Sequence, residues 1–170
     1  MPGTLTLPQT TDRSELYGSL YPQVKALLQG ERDPVAAMAN MCAALHQAFG
    51  PDGLGQGCWH WVGFYRAMGA ELVLGPFQGP VACMRIGHGK GVCGTAWAQG
   101  RTLIVPDVTQ FPGHIACSAL TRSEIVVPLV GRDGHVHAVL DIDSLRQDDF
   151  NEVDAQALAG LLGLLAPLFD

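Results

Sequence analysis

Charged residues are scarce in this sequence, and basic residues are fewer than acidic ones. Of the 170 residues 15% are charged, with 10 Lys or Arg against 16 Asp or Glu, and the basic residues form no cluster. A typical soluble domain has about 25% charged residues. Because no basic stripe could follow a phosphate backbone or an anionic lipid surface, we expect neither nucleic acid nor membrane as a partner. The low charge also suggests a surface buried against a second copy, so we expect a homodimer.

Long hydrophobic runs are missing as well. No apolar stretch reaches the roughly 18 residues of a membrane-spanning helix, and MPGTLTLPQTTDRSELYG lacks the basic-then-apolar pattern of a secretory signal. We therefore expect a cytoplasmic protein. The five cysteines, at positions 42, 58, 83, 93 and 117, are odd in number and irregularly spaced. Structural disulfides are uncommon in a reducing compartment, so these thiols are expected to be inert, metal-bound or reactive.

The pattern along the chain predicts one domain of helices and strands. A leader of residues 1–12, rich in Thr and Pro and expected to be loosely ordered, precedes a single domain of residues 13–170. Apolar residues at helical spacing predict two helices before Gly50, and KGVCGTAWAQG and the segment Asp148–Phe169 predict two more. The runs that predict strands are CWHWVGFYRA, ELVLGPF, ACMRI, TLIVPDV, SEIVVPLV and HVHAVLDID.

The order of these elements favours an α+β fold with a mainly antiparallel central sheet. We expect the helices to pack on one face of the sheet and loops to cover a ligand pocket on the other. Strict alternation in the first strand predicts one face that carries Trp59, Trp61, Gly63 and Tyr65.

Three of the cysteines lie in or beside loops rich in glycine and proline: Cys83 in GPFQGPVACM, Cys93 in GKGVCG and Cys117 in FPGHIAC. Loops commonly carry reactive groups, and a thiolate stabilised there is a good nucleophile. A second thiol within reach lets a sulfenic acid condense to a disulfide before it oxidises further. Together the three favour reversible redox chemistry over proteolysis or acyl transfer. The alternative for each is a small residue at a crowded turn.

A metal site is a further alternative, because His88, Cys93, His114 and Cys117 could supply four ligands. The sequence has no C-x-x-C or H-x-x-x-H pair with the compact spacing typical of zinc sites. We therefore expect no metal.

Acidic residues form a second candidate constellation. Asp141 and Asp143, in VLDIDS, lie two positions apart on a strand and so point to the same face. Adjacent carboxylates repel each other unless a cation lies between them, and a substrate ammonium would be such a cation. Glu124, at the start of a strand, is placed to reach a pocket mouth. The alternative for the two aspartates is a pair that faces water at a strand end.

Five motifs, GPFQGPVAC, GKGVCGTAW, VPDVTQFPGHIAC, SEIVVPL and VLDIDS, closely resemble in order and spacing those of the free methionine-(R)-sulfoxide reductases. These are single GAF domains that act on the free amino acid. HWVGFY also corresponds to NWVGFY in that family, and the resemblance leaves only the leader unmatched. It implies a GAF-like fold and reduction of free L-methionine-(R)-sulfoxide to methionine, without a metal or an organic cofactor.

The resemblance also implies roles for the three loop thiols. Cys117 is the nucleophile, Cys83 the main resolving cysteine and Cys93 an accessory thiol. Cys117 becomes a sulfenic acid, which Cys83 converts to a disulfide, and an external dithiol such as thioredoxin reduces that disulfide.

The same resemblance implies which residues bind the substrate. Glu124, Asp141 and Asp143 hold it, with Glu124 protonating the departing oxygen, and Trp61 and Tyr65 line the pocket around the sulfoxide. A carboxyl with a raised pKa suits the role of proton donor.

Two departures and two alternative functions accompany this interpretation. Ser118 stands where Asp is more common in the family, and Pro80 where Lys is common, and both bear on the charge of the pocket rim. A GAF module that binds a small ligand without turning it over would share the fold but would not need the cysteines. A redox sensor, whose disulfide is the signal, would keep the cysteines without reductase activity.

Overall fold

The computed structural model describes residues 4–54 and 57–169, and within them six strands form a single antiparallel sheet that packs with four α-helices. The strands are β1 Trp59–Met68, β2 Glu71–Gln78, β3 Arg85–Gly87, β4 Leu103–Val105, β5 Ser123–Val130 and β6 Val136–Ser144. The helices are α1 Arg13–Leu27, α2 Pro34–Phe49, α3 Gly91–Gln99 and α4 Glu152–Leu162. The strand order is β3-β2-β1-β6-β5-β4, and every neighbouring pair is antiparallel. The predicted α+β fold is confirmed.

Three of the helices begin at side-chain caps that satisfy free backbone N–H groups. Asp12 accepts from the first turn of α1, Asp33 caps α2 ahead of Pro34, and Asn151 caps α4. Helix α4 is shorter than predicted, because it ends before Gly163 and a separate 3₁₀ turn covers Ala166–Phe169.

Helices α1, α2 and α4 cover one face of the sheet and bury the larger core against it. This core includes Leu20, Met38, Met41, Leu45, Trp59, Phe64, Leu140 and Leu158. Arg13 of α1 ties the helices to the loop after β6, since its guanidinium contacts Asp149 at 2.7 Å and Asp154 at 2.8 Å. The hydroxyl of Ser144, the last residue of β6, donates to Asp149 at 2.6 Å. These contacts fix the end of β6 that carries the predicted substrate-binding aspartates.

Helix α3 lies on the opposite face, so the helices are not all on one side as the sequence analysis expects. It packs with β3, β5 and β6 and belongs to a second, smaller core. Gly94 explains the close approach to β3, because a Cβ at this position would overlap the carbonyl oxygen of Gly87. A glycine-containing helix can therefore lie directly over the pocket side of the sheet.

Strict alternation in β1 is wrong at Trp59. The β1–β6 register pairs Trp59 with Ser144 and Trp61 with Asp143. Between these two pairs β1 moves on by two residues while β6 moves on by one, so β1 contains one extra residue. Such a β-bulge reverses the facing of the residues before it. Trp59 therefore joins the helical-face core, while Trp61 and Tyr65 lie on the pocket side.

The predicted leader is described only from residue 4, and residues 1–3 lie outside the described residues. Leu5 is buried in the larger core, and the Thr6 amide donates to Oε1 of Gln23 at 2.9 Å. The side-chain amide of Gln23 donates back to the Thr6 carbonyl at 2.8 Å. This segment packs along α1, and the domain boundary at residue 13 stays a prediction. In the described ranges, every helix is too short or too polar to cross a membrane.

Candidate functional site

A small cavity lies on the pocket side of the sheet, between β1, β5 and β6, the start of α3 and the loop that precedes β5. Six of the eight predicted site residues line it: Tyr65, Cys93, Cys117, Glu124, Asp141 and Asp143. Its volume of about 30 Å³ is enough to hold ordered water.

The cavity is closed at one side by a disulfide between Cys83 and Cys117, whose Cα atoms lie 5.8 Å apart. Cys83 lies on the loop between β2 and β3, and Cys117 on the loop before β5. Both residues are partly exposed, whereas Cys93 is free and only 4% exposed. The structure therefore has these two cysteines in the oxidised, disulfide-bonded form.

Three carboxyls form the floor of the cavity. Glu124 of β5 and Asp143 of β6 are direct partners across the two strands, and Asp141 lies two positions along β6 on the same face. Burial raises the pKa of all three well above the ordinary carboxyl range, and the carboxyls raise one another's pKa further. Oδ1 of Asp141 is buried without a hydrogen-bond partner. The floor therefore holds protons and has an unsatisfied acceptor where a cation would be favourable.

Cys93 lies beside these carboxyls, with its Sγ 4.0 Å from Oε1 of Glu124. Burial, together with the charges of Asp141 and Glu124, raises the pKa of the Cys93 thiol well above its usual value. The residue is therefore a protonated thiol and a weak nucleophile in this state.

His114 is a contact of Glu124 that the sequence analysis does not predict. Its Nε2 lies 3.5 Å from Oε2 of Glu124, and burial lowers the pKa of the imidazole. A neutral imidazole therefore faces a protonated carboxyl, and the pair is not an ion pair. The available signal is the position of His114, three residues before Cys117. Thr121, which also lines the cavity, is a second residue without a sequence signal.

Trp61 does not line the cavity in this state but lies behind Tyr65. The two rings stack with centroids 5.8 Å apart, and Trp61 Nε1 donates to the carbonyl of Pro80 at 3.1 Å. The Tyr65 hydroxyl donates to the carbonyl of Cys83 at 3.0 Å. Both aromatic residues therefore position the loop that carries Cys83, and a role for Trp61 in lining the pocket stays a prediction.

The arrangement combines a partly exposed disulfide, a proton-bearing carboxyl and two carboxyls that lack a cation. Such a site can reduce a small molecule by thiol chemistry, donate a proton during that step and hold a positively charged group of the substrate.

Comparison with known proteins places this site in a family. The GAF-domain family model matches residues 31–170. "GAF domain-containing protein A" of Dictyostelium discoideum is 51% identical over 154 residues, which are 90% of this chain and 92% of that protein. The Escherichia coli protein named "Free methionine-R-sulfoxide reductase" is 42% identical over 154 residues, with 91% and 88% of the two chains covered.

A solved structure of similar size has the same fold. The free methionine-R-sulfoxide reductase from Neisseria meningitidis, crystallised in complex with its substrate, superimposes with a TM-score of 0.89 and 46% sequence identity. The match covers 98% of this chain and 95% of that one. The resemblance stated from the sequence motifs is therefore confirmed, and this chain belongs to the GAF-domain family, in the group that includes the free methionine-R-sulfoxide reductases.

Proposed function

We propose that this chain is a thiol oxidoreductase that reduces free L-methionine-(R)-sulfoxide to methionine. The observation that carries this proposal is the Cys83–Cys117 disulfide beside a pocket whose floor bears three buried carboxyls. The relatives named for this activity, one of them solved with its substrate, support the same conclusion.

The chemistry uses two thiols and one proton donor. The Cys117 thiolate attacks the sulfoxide sulfur while Glu124 protonates the sulfoxide oxygen. The hydroxyl is then transferred from the substrate sulfur to the Cys117 sulfur: the substrate S–O bond and the transient sulfur–sulfur bond break as the new S–O bond forms, so methionine leaves and Cys117 becomes a sulfenic acid. The Cys83 thiol then attacks the Cys117 sulfur, the oxygen leaves as water, and the disulfide forms. The raised pKa of Glu124 supports its role, because it keeps the carboxyl protonated near neutral pH.

Asp141 and Asp143 bind the α-ammonium of the substrate. This assignment is supported by their shared strand face and by the buried Oδ1 of Asp141, which lacks a donor in the described structure. A cation placed between them supplies hydrogen-bond donors to the buried oxygens and favours the ionised form of the two carboxyls. Since Cys117 is held in the disulfide, the substrate reacts only after that disulfide is reduced.

The reductant is a protein dithiol of the thioredoxin type. The disulfide is partly exposed, and apolar side chains surround it in sequence: Val81 is 89% exposed, Met84 74% and Leu120 62%. These exposed apolar side chains can form a contact surface for a partner protein. The thiolate of that partner could then reach one of the two sulfurs of the disulfide. The cytoplasmic location and the homodimer remain proposals, and the dimer can be tested by the mass of the protein in solution.

The test is a reductase assay with racemic free methionine sulfoxide and dithiothreitol, in which the two epimers are separated and followed. The R epimer should disappear and the S epimer should remain. The alternative of a redox sensor predicts that peroxide forms the disulfide while neither epimer is consumed. A ligand-binding module predicts that the sulfoxide binds without being reduced. Either result would refute the reductase function.

A further inference from the structure

A thiol and two carboxyls in the cavity form a cluster whose side chains are typical metal ligands. Sγ of Cys93, one carboxylate oxygen of Glu124 and one of Asp141 all lie within 4.8 Å of one another and are buried. Thiolate and carboxylate are both zinc ligands, with Zn–S near 2.3 Å and Zn–O near 2.0–2.2 Å, so ligand atoms in a tetrahedral site lie about 3.5 Å apart. The three side chains need to approach one another by only about 1 Å to reach that geometry.

A second observation points to a cation at the same place. Asp141 is 7% exposed, lines the cavity, and has a buried Oδ1 without a hydrogen-bond partner. A buried acceptor of this kind is costly unless something satisfies it. The cavity volume of about 30 Å³ has room for an ion and water.

We propose that the oxidised form of this protein binds one zinc ion in this cavity through Cys93, Glu124 and Asp141. A water completes the four-coordinate site, as in other zinc sites with three protein ligands. Binding releases the protons of the coordinating thiol and carboxyls to the buffer. Zinc is not needed for turnover, and it takes Asp141, one of the two side chains that bind the substrate ammonium. This last consequence, unlike binding itself, rests on the proposed function and makes zinc an inhibitor.

The test measures metal binding to protein in which the Cys83–Cys117 disulfide is intact, so that Cys117 cannot act as a ligand. Zinc chloride is titrated by calorimetry, and cobalt(II) replaces it in a second titration that reports thiolate coordination by its charge-transfer absorption. We expect one equivalent in the wild type. Cys93→Ala should weaken binding by more than about 100-fold, since even loss of an outer partner typically costs 10–100-fold, and should abolish the absorption.

Matched controls separate this site from other donors on the chain. Cys58→Ala removes a free, partly exposed thiol outside the cavity, and His137→Ala removes a surface imidazole that lies 3.1 Å from Asp133. Both variants should bind zinc like the wild type. Because Cys93 is buried, Asp141→Asn provides a nearly isosteric second variant, and it should also lose binding.

Unchanged zinc affinity in Cys93→Ala or Asp141→Asn would overturn the proposal, as would loss of binding in either control or a cobalt complex without thiolate absorption. The reductase assay in metal-free buffer is a separate measurement. Failure to bind zinc with normal turnover rejects only the metal site, whereas zinc binding without turnover rejects only the reductase function.

Discussion

Glu124→Gln should make the folded protein more stable at alkaline pH while it removes turnover. Burial raises the pKa of Glu124 well above its usual value, so the folded state keeps a proton that the unfolded state releases above about pH 4.3. The unfolded state then binds fewer protons, and the free energy of unfolding falls as pH rises through this window. Gln cannot ionise, so this contribution to the pH dependence disappears in the variant.

The size of the effect follows from proton linkage. Each carboxyl that is protonated only in the folded state lowers the free energy of unfolding by about 1.4 kcal/mol per pH unit. Glu124 is one of three such carboxyls on the cavity floor, with Asp141 and Asp143. The slope of stability against pH should therefore be shallower in Glu124→Gln by up to about 1.4 kcal/mol per unit. Turnover should be lost, because an amide cannot replace the proton donor.

The assay is urea unfolding of the oxidised, metal-free protein between about pH 6.5 and 8.5. The lower limit avoids His114, whose lowered pKa gives a slope of the opposite sign below about pH 6.5. Glu71→Gln is the matched control, since it removes a carboxyl outside the cavity whose side chain is 51% exposed. Equal slopes for the wild type and Glu124→Gln would show that the unfolded and folded states hold the same number of protons at this site. Glu124 would then not carry a proton in the folded protein at these pH values.

Four other predictions follow from the same geometry. Cys117→Ser should abolish turnover, whereas Cys83→Ser should release one equivalent of methionine and lose thioredoxin-driven cycling; normal cycling in Cys83→Ser would make another thiol the resolving one. Asp143→Asn should lower kcat/KM for the free sulfoxide by about 10- to 150-fold, because the variant loses a charge-assisted hydrogen bond to the substrate ammonium. N-acetyl-methionine sulfoxide, which has no ammonium, should be a very poor substrate of the wild type. Equal rates of the wild type on the free and N-acetylated sulfoxides would reject ammonium binding. Gly63→Ala should destabilise the fold by about 1–3 kcal/mol in thermal unfolding, because the new Cβ would lie 2.7 Å from Cζ3 of Trp61; an unchanged melting temperature would contradict this packing. Chelators should not lower turnover, and a loss of activity on metal removal would contradict that.

Local patterns in the sequence were enough to predict most elements and part of the site. Alternation places Asp141 and Asp143 on one strand face because side chains in a strand repeat every two residues, and both line the cavity. The six apolar runs became the six strands. The same rule failed at Trp59, where a β-bulge inserts a residue that no local pattern reveals.

Tertiary structure alone decided which of these residues meet. The resemblance to a family, and not the spacing of the cysteines, implied the pairing of Cys83 with Cys117 across 34 residues. Periodicity is a property of a few neighbouring residues, whereas strand register and the packing of loops depend on contacts between distant segments. Glu124 faces Asp143 because of the β5–β6 register, and His114 reaches Glu124 because its loop folds back over the sheet. The raised pKa values of the carboxyls also arise only from this burial, because an isolated strand would leave the same groups in water.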